Sequence, residues 1–121
     1  MYARHESDVA ARVLKGRKVK TLLDQSMGCR NLCLGMVVFD GQGRAPGHVH
    51  QAEEEAIYVL SGHGRIHLGE AEEELRPGMA VYIPVGVEHS IENLGSEPIR
   101  LVFAFSPPVV SGDYPDIDYD P

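Results

Sequence analysis

The sequence predicts an all-β domain, an antiparallel sandwich or barrel, preceded by a short N-terminal helix. Two observations carry the β reading. Short runs rich in Val, Ile, Leu, Phe and Tyr recur from residue 19 onward, and turns containing Gly, Pro or Asn separate most of them. No helical pattern stands between the runs, as parallel strand–helix folds would require. A third observation bears on function. His48, His50, Glu55 and His89 are spaced so that barrel strands could bring them onto one metal ion.

The elements follow in chain order. From Glu6 to Leu14 the pattern fits a helix, with Ser7 as N-cap, Val9, Val13 and Leu14 on one stripe, and Gly16 as its stop. Strands are expected over Val19–Leu23, Asn31–Asp40, Glu55–Leu60, Gly64–Leu68, Met79–Ile83, Val87–Glu92 and Ile99–Ser106. One more holds His48 and His50, and another runs from Glu72 to Leu75. Ser61–Gly62–His63–Gly64 and Asn93–Leu94–Gly95–Ser96 read as turns whose glycines can take positive φ. The chain thus divides into a helical segment (1–16), a β-barrel (17–106) and an acidic tail rich in Pro and Asp (107–121). The tail is either loose or an arm that packs on a neighbouring subunit.

With 121 residues the chain makes one domain with one core. A net charge of −7 argues against a nucleic-acid partner, which needs a basic face to neutralise phosphates. Residues 1–20 carry six Lys or Arg, read here as a solvated face, whereas residues 107–121 carry four Asp and no base. No apolar run has the length of a secretory signal or a membrane span, so the expected location is the cytoplasm, with no membrane partner. Cys29 and Cys33 on one extended segment would lie about 13 Å apart, too far for a disulfide. They are read as thiols in a reducing compartment.

In a strand, His48 and His50 point to the same face with Cα atoms roughly 6.6 Å apart. Imidazole with carboxylate suits Zn, Fe, Ni, Cu, Co or Mn. Within the run Glu53–Glu54–Glu55, strand alternation aligns Glu55 with Ile57 and Val59 on an apolar inner face, with Glu54 as the fallback one register away. A buried carboxylate is costly, and a metal cation would remove that cost. His5 and His63 read as solvent-exposed. His67 reads either as a surface residue or as an inward donor behind the site. Arg30, Arg44, Arg65 and Arg100 could each clamp an anionic substrate, though a surface position is the simpler reading of any one of them.

The segment His48-Val-His50-Gln-Ala-Glu-Glu-Glu55, then six residues to Gly62, resembles the first conserved motif of the cupin superfamily. Gly78, five residues, Pro84-Val-Gly86-Val-Glu-His89, then three residues to Asn93, resembles the second and meets each of its defined positions. In the first motif only the leading glycine is missing; Gln42 stands in its place, between Gly41 and Gly43. The resemblance implies a double-stranded β-helix, the jelly-roll cupin barrel. It also implies that His48, His50, Glu55 and His89 hold one divalent transition metal.

Such a metal acts as a Lewis acid or, as iron or manganese, activates oxygen. The expectation is a mononuclear metal-dependent enzyme of oxygenase type acting on a small oxygen-rich molecule, with Glu55 doubling as a base. The alternatives are a sugar or sugar-acid isomerase, epimerase or lyase, and a non-catalytic small-molecule-binding barrel. The resemblance and the sheet edges together imply a homodimer.

Overall fold

The computed structural model describes residues 2–109. Among the described residues, ten strands form two sheets. In chain order they are β1 (Arg12–Leu14), β2 (Arg17–Leu23), β3 (Cys33–Phe39), β4 (Arg44–His48), β5 (Glu54–Ser61), β6 (Gly64–Leu68), β7 (Ala71–Leu75), β8 (Ala80–Ile83), β9 (His89–Glu92) and β10 (Ile99–Ser106). One sheet runs β1-β2-β3-β10-β5-β8 and the other β4-β9-β6-β7, and the pairings within each are antiparallel. The all-β expectation holds, and the strands over 54–61, 64–68 and 99–106 fall within a residue of where hydrophobic patterning puts them.

Alternation builds the core. Ile57 and Val59 on β5, and Ile99, Leu101, Phe103 and Phe105 on β10, point inward, while their neighbours face out. They meet Ile66, Leu75 and Ile91 from the other sheet. Each such side chain contributes about 1.5–3 kcal/mol on burial. Asn93 ties the closed end. Its buried amide donates to the carbonyls of Asp40 (3.0 Å) and Glu97 (2.7 Å) and accepts from the Gly95 N–H (3.0 Å), joining the turn after β9 to the loop before β4.

The N-terminal helix is not formed. Glu6–Asp8 make one 3-10 turn capped by His5, not Ser7, and the chain then extends into β1. Leu14 pairs with Arg17 across a two-residue turn in which Gly16 takes φ 76°. Glycine ends helices and makes hairpin turns for the same reason, access to the left-handed region, so Gly16 alone could not separate the two. The Val9, Val13 and Leu14 stripe fails as well: Val13 is 62% exposed and Leu14 is buried, the alternation of an edge strand.

Gln42, where the first motif has glycine, takes φ 65°. The loop demands left-handed backbone there, and glutamine accepts it while its side-chain amide donates to the carbonyls of Leu94 and Gly95, each at 3.1 Å. No helix of the described residues is long and apolar enough to cross a membrane. The acidic tail beyond residue 109 lies outside the described residues.

Candidate metal centre

Pairing of β4 with β9 sets His48 directly opposite His89. Their rings stand 4.2 Å apart between centroids. His48 Nδ1 donates to the Pro46 carbonyl at 2.9 Å, and His89 Nδ1 donates to the Val87 carbonyl at 3.0 Å. A carbonyl can only accept, so both Nδ1 atoms hold the proton and both Nε2 atoms keep a lone pair for the interior.

His50 does not lie on a strand with His48, as alternation suggested; β4 stops at His48. The ladder to β9 shifts between Ala45 and His48, and the His50 carbonyl accepts from the Gly86 N–H at 3.0 Å. The Pro84–Gly86 turn therefore holds His50 beside the other two rings. Ligand atoms of His48, His50 and His89 lie within 4.8 Å of one another, so the three could hold a metal ion. His50 leans its ring edge on Phe105, 4.7 Å between centroids, which fixes its side wall.

Glu55 enters from the other sheet, between Phe105 on β10 and Ile83 on β8. It is buried, while Glu54 is exposed and accepts from the Tyr82 hydroxyl at 2.9 Å. Glu55 Oε1 lies 3.4 Å from His89 Nε2 and 3.8 Å from His50 Nε2. Neither contact has hydrogen-bond geometry, and both Nε2 atoms are buried without a hydrogen-bond partner among the described residues. Two orphaned nitrogens in a protein interior are costly unless something fills the gap between them. A cation placed among three imidazoles and a carboxylate fits that gap in both charge and donor type.

The electrostatics favour neutral, electron-donating imidazoles at His48 and His50. Burial pulls the His48 imidazole below its ordinary range, and burial together with His48 and His89 brings His50 down to about 4. Burial alone would also lower His89, but the Glu55 carboxylate and the Val87 carbonyl more than offset it and the net direction is up. Glu55 itself is pushed up by burial, with His89 opposing in part.

The cluster opens on a cavity of about 470 Å³ whose walls include Val37, Phe39, Ile57, Leu101 and Phe103. None of Arg30, Arg44, Arg65 and Arg100 lines it. Arg65 pairs with Glu72 at 2.8 Å and Arg100 with Glu6 at 3.5 Å on the surface. His67 is at the surface too, 3.2 Å from Glu92. The residue that sequence reasoning passed over is Arg17, 7% exposed and on the cavity wall. It stands in a run of basic residues, and only its pairing with Leu14 reveals which face it takes.

A family model described as "Cupin domain" matches residues 35–105. The chain belongs to the cupin family. Its cupin barrel superposes on the polyketide cyclase RemF from Streptomyces resistomycificus with a TM-score of 0.79 and 26% identity, covering 94% of this chain and 90% of that one. The tetracenomycin polyketide synthase protein TcmJ of Streptomyces glaucescens is 27% identical over 116 residues, 95% of this chain and 78% of that protein. An uncharacterized protein of Methanocaldococcus jannaschii is 36% identical over 61 residues, 50% of this chain, and the alignment spans about half (49%) of that protein's length.

Proposed function

We propose that this cupin is a mononuclear metal-dependent enzyme whose ion is held by His48, His50, His89 and Glu55, and which acts on a small, oxygen-rich molecule inside the barrel. One observation carries the reading: the buried, unpartnered Nε2 atoms of His50 and His89 face Glu55 at the head of a cavity walled by apolar side chains. When bound, a divalent transition metal supplies Lewis acidity toward a carbonyl or hydroxyl oxygen and, as iron or manganese, chemistry with oxygen.

The chain's own residues do the rest. Pro46 and Val87 carbonyls orient two of the imidazoles. Phe103, Phe105 and Ile57 exclude water from the reacting end. Glu55, buried beside the imidazoles, takes or returns a proton beside the substrate carbon. The likeness to proteins named as a polyketide cyclase and a polyketide synthase protein favours an enolisable polycarbonyl, on which Glu55 proton transfer would promote ring closure. The oxygenase reading is the second, favoured by a donor set that suits iron or manganese.

Metal analysis by plasma mass spectrometry on protein purified without added metal or chelator, beside His89→Ala, tests the site. About one equivalent in the wild type, lost in the variant, is expected. No metal in either protein after reconstitution would leave a binding barrel. Iron or manganese directs the next assays to oxygen consumption, and zinc or nickel to cyclisation, isomerisation and lyase chemistry.

The cupin also presents an apolar outer face on its larger sheet, where Tyr58, Leu60 and Tyr82 stay 48%, 45% and 60% exposed. This supports a homodimer through that face. Half-buried Cys29 and buried Cys33 are unbridged, which suits the reducing cytoplasm.

A further inference from the structure

We propose that Gln25 is a substrate-contacting residue at the opening of the cavity, so that the substrate carries neutral oxygens at two ends of one apolar body. One oxygen meets the imidazole cluster; the other, a hydroxyl or carbonyl, meets the Gln25 side-chain amide. The inference takes that cluster as the reacting end, and in that it rests on the reading given under Proposed function. Its own support lies on the connection between β2 and β3.

Strand register brings this connection to the end of the barrel that holds Glu55. Leu23 at the end of β2 pairs with Leu34, Leu34 with Ala104, and Ala104 with Ala56, the neighbour of Glu55. Gln25 thus stands at the same end of the larger sheet as Glu55, three strand spacings away, about 14 Å along the sheet. The turn that carries it is fixed by its own bonds. The Asp24 carboxylate accepts from the Ser26 N–H at 2.9 Å, and the Gly28 N–H donates to the Gln25 carbonyl at 3.0 Å. Gly28 closes the turn at φ 93°, where glycine alone is at ease. Gln25 is exposed and yet lines the cavity, so it stands where the cavity meets solvent.

Elimination singles out its amide. Outside the imidazole cluster and Glu55, the polar side chains on the cavity wall are those of Arg12, Arg17, Thr21, Asp24, Gln25 and Ser26. Arg12, Arg17 and Thr21 are already engaged. Ser26 Oγ donates to the Asp24 carboxylate, which commits both. The Gln25 side chain has no hydrogen bond among the described residues, and it offers two N–H donors and a carbonyl acceptor. Such an amide answers a hydroxyl or a carbonyl alike, while the Asp24 carboxylate beside it disfavours an anion. On β10, between β2 and β5, Phe103 and Phe105 line the cavity with apolar rings that suit the body of such a ligand.

Calorimetric titration with para-phenylphenol and para,para′-biphenol tests this, because the two share one apolar body and differ by a neutral hydroxyl at its far end. Titrations are run under argon on protein as purified and again after chelator treatment. In both states the wild type should hold the biphenol about five- to tenfold more tightly. Gln25→Leu should bring that ratio to about two, the factor owed to the two equivalent ends of the biphenol. Gln25→Glu, which still accepts from a hydroxyl, should keep part of the preference. Gln25 is exposed, so both variants should unfold at the wild-type midpoint. A wild-type ratio of about two or less, binding of neither probe, or a wild-type ratio retained in Gln25→Leu would each overturn the proposal. The two readings fail separately. Protein that takes up no metal but keeps the biphenol preference retains the Gln25 assignment and loses the metal enzyme, whereas metal-loaded protein without the preference does the reverse.

Discussion

Glu54 and Glu55 are neighbours in sequence and opposites in the fold, and the difference is one step of a strand. Glu55→Gln keeps the shape of the buried group and removes its ability to accept a proton. It should slow solvent deuterium exchange into an enolisable diketone by about 100-fold, read by mass spectrometry, while the three histidines still take up metal. Exchange at the wild-type rate would end the role of Glu55 as base. His50 governs acid sensitivity. In the unfolded chain an imidazole takes its proton near the ordinary value of 6.5, whereas folded His50 does so at about 4. Between these values the unfolded chain binds more protons, so the His50 contribution is complete above 6.5 and is lost as pH falls to about 4. His89, shifted upward, acts in the opposite sense. In chelator-treated protein, the wild type should therefore lose more Tm between these two pH values than His50→Gln does.

At the scale of the element, two devices hold the barrel strands in register. Asn93 satisfies two carbonyls and one N–H from three different positions; on truncation the Asp40 carbonyl keeps its bond from the Gly43 N–H, while the Glu97 carbonyl and the Gly95 N–H lose the amide. Asn93→Ala should cost about 2–4 kcal/mol in urea unfolding, with an unchanged m-value. Loss of under half a kcal/mol would show that water replaces the amide at no cost. Gly35 lies in the middle of β3, where a Cβ would meet the Phe103 ring and the Lys20 carbonyl oxygen. Propensity alone counts a glycine there as a weakness, but its missing side chain is the space Phe103 fills. Gly35→Ala should destabilise by about 1–3 kcal/mol through overpacking, checked by the same unfolding curves.

For the whole molecule the question is assembly. The inner faces of the two sheets close on each other, while Tyr58, Leu60 and Tyr82 are left outside on the larger sheet. Exposed aromatics on adjacent antiparallel strands form a contiguous patch of the kind that association buries. Light scattering should give twice the chain mass at micromolar concentration, and Leu60→Glu with Tyr82→Glu should return the monomer without loss of metal. A wild-type monomer would remove the dimer from the proposal. Charge carries a separate lesson at this scale. The basic N-terminal stretch, read from composition as a solvated face, splits between exposed Lys15 and Lys18 and two arginines, Arg12 and buried Arg17, that line the cavity.

What the sequence determined by itself was whatever depends on local alternation and on motif spacing. The inward set on β5 and β10 follows from a period of two over eight residues, while the choice of Glu55 over Glu54 came from the six-residue gap to Gly62 in the first motif, with which that alternation agrees. The two motifs placed His48, His50 and His89 together because each lies a fixed number of residues from a turn. Tertiary structure alone decided the rest. Residues 6–14 carry too short a pattern to tell a helix from an edge strand, and the pairing of Arg12–Leu14 with Arg17–Val19 settled it by supplying hydrogen bonds from outside the segment. The same pairing buried Arg17. Whether a charged side chain faces water or a cavity depends on what lies across from it, and that is a property of the folded sheet, not of the run of residues in which it stands.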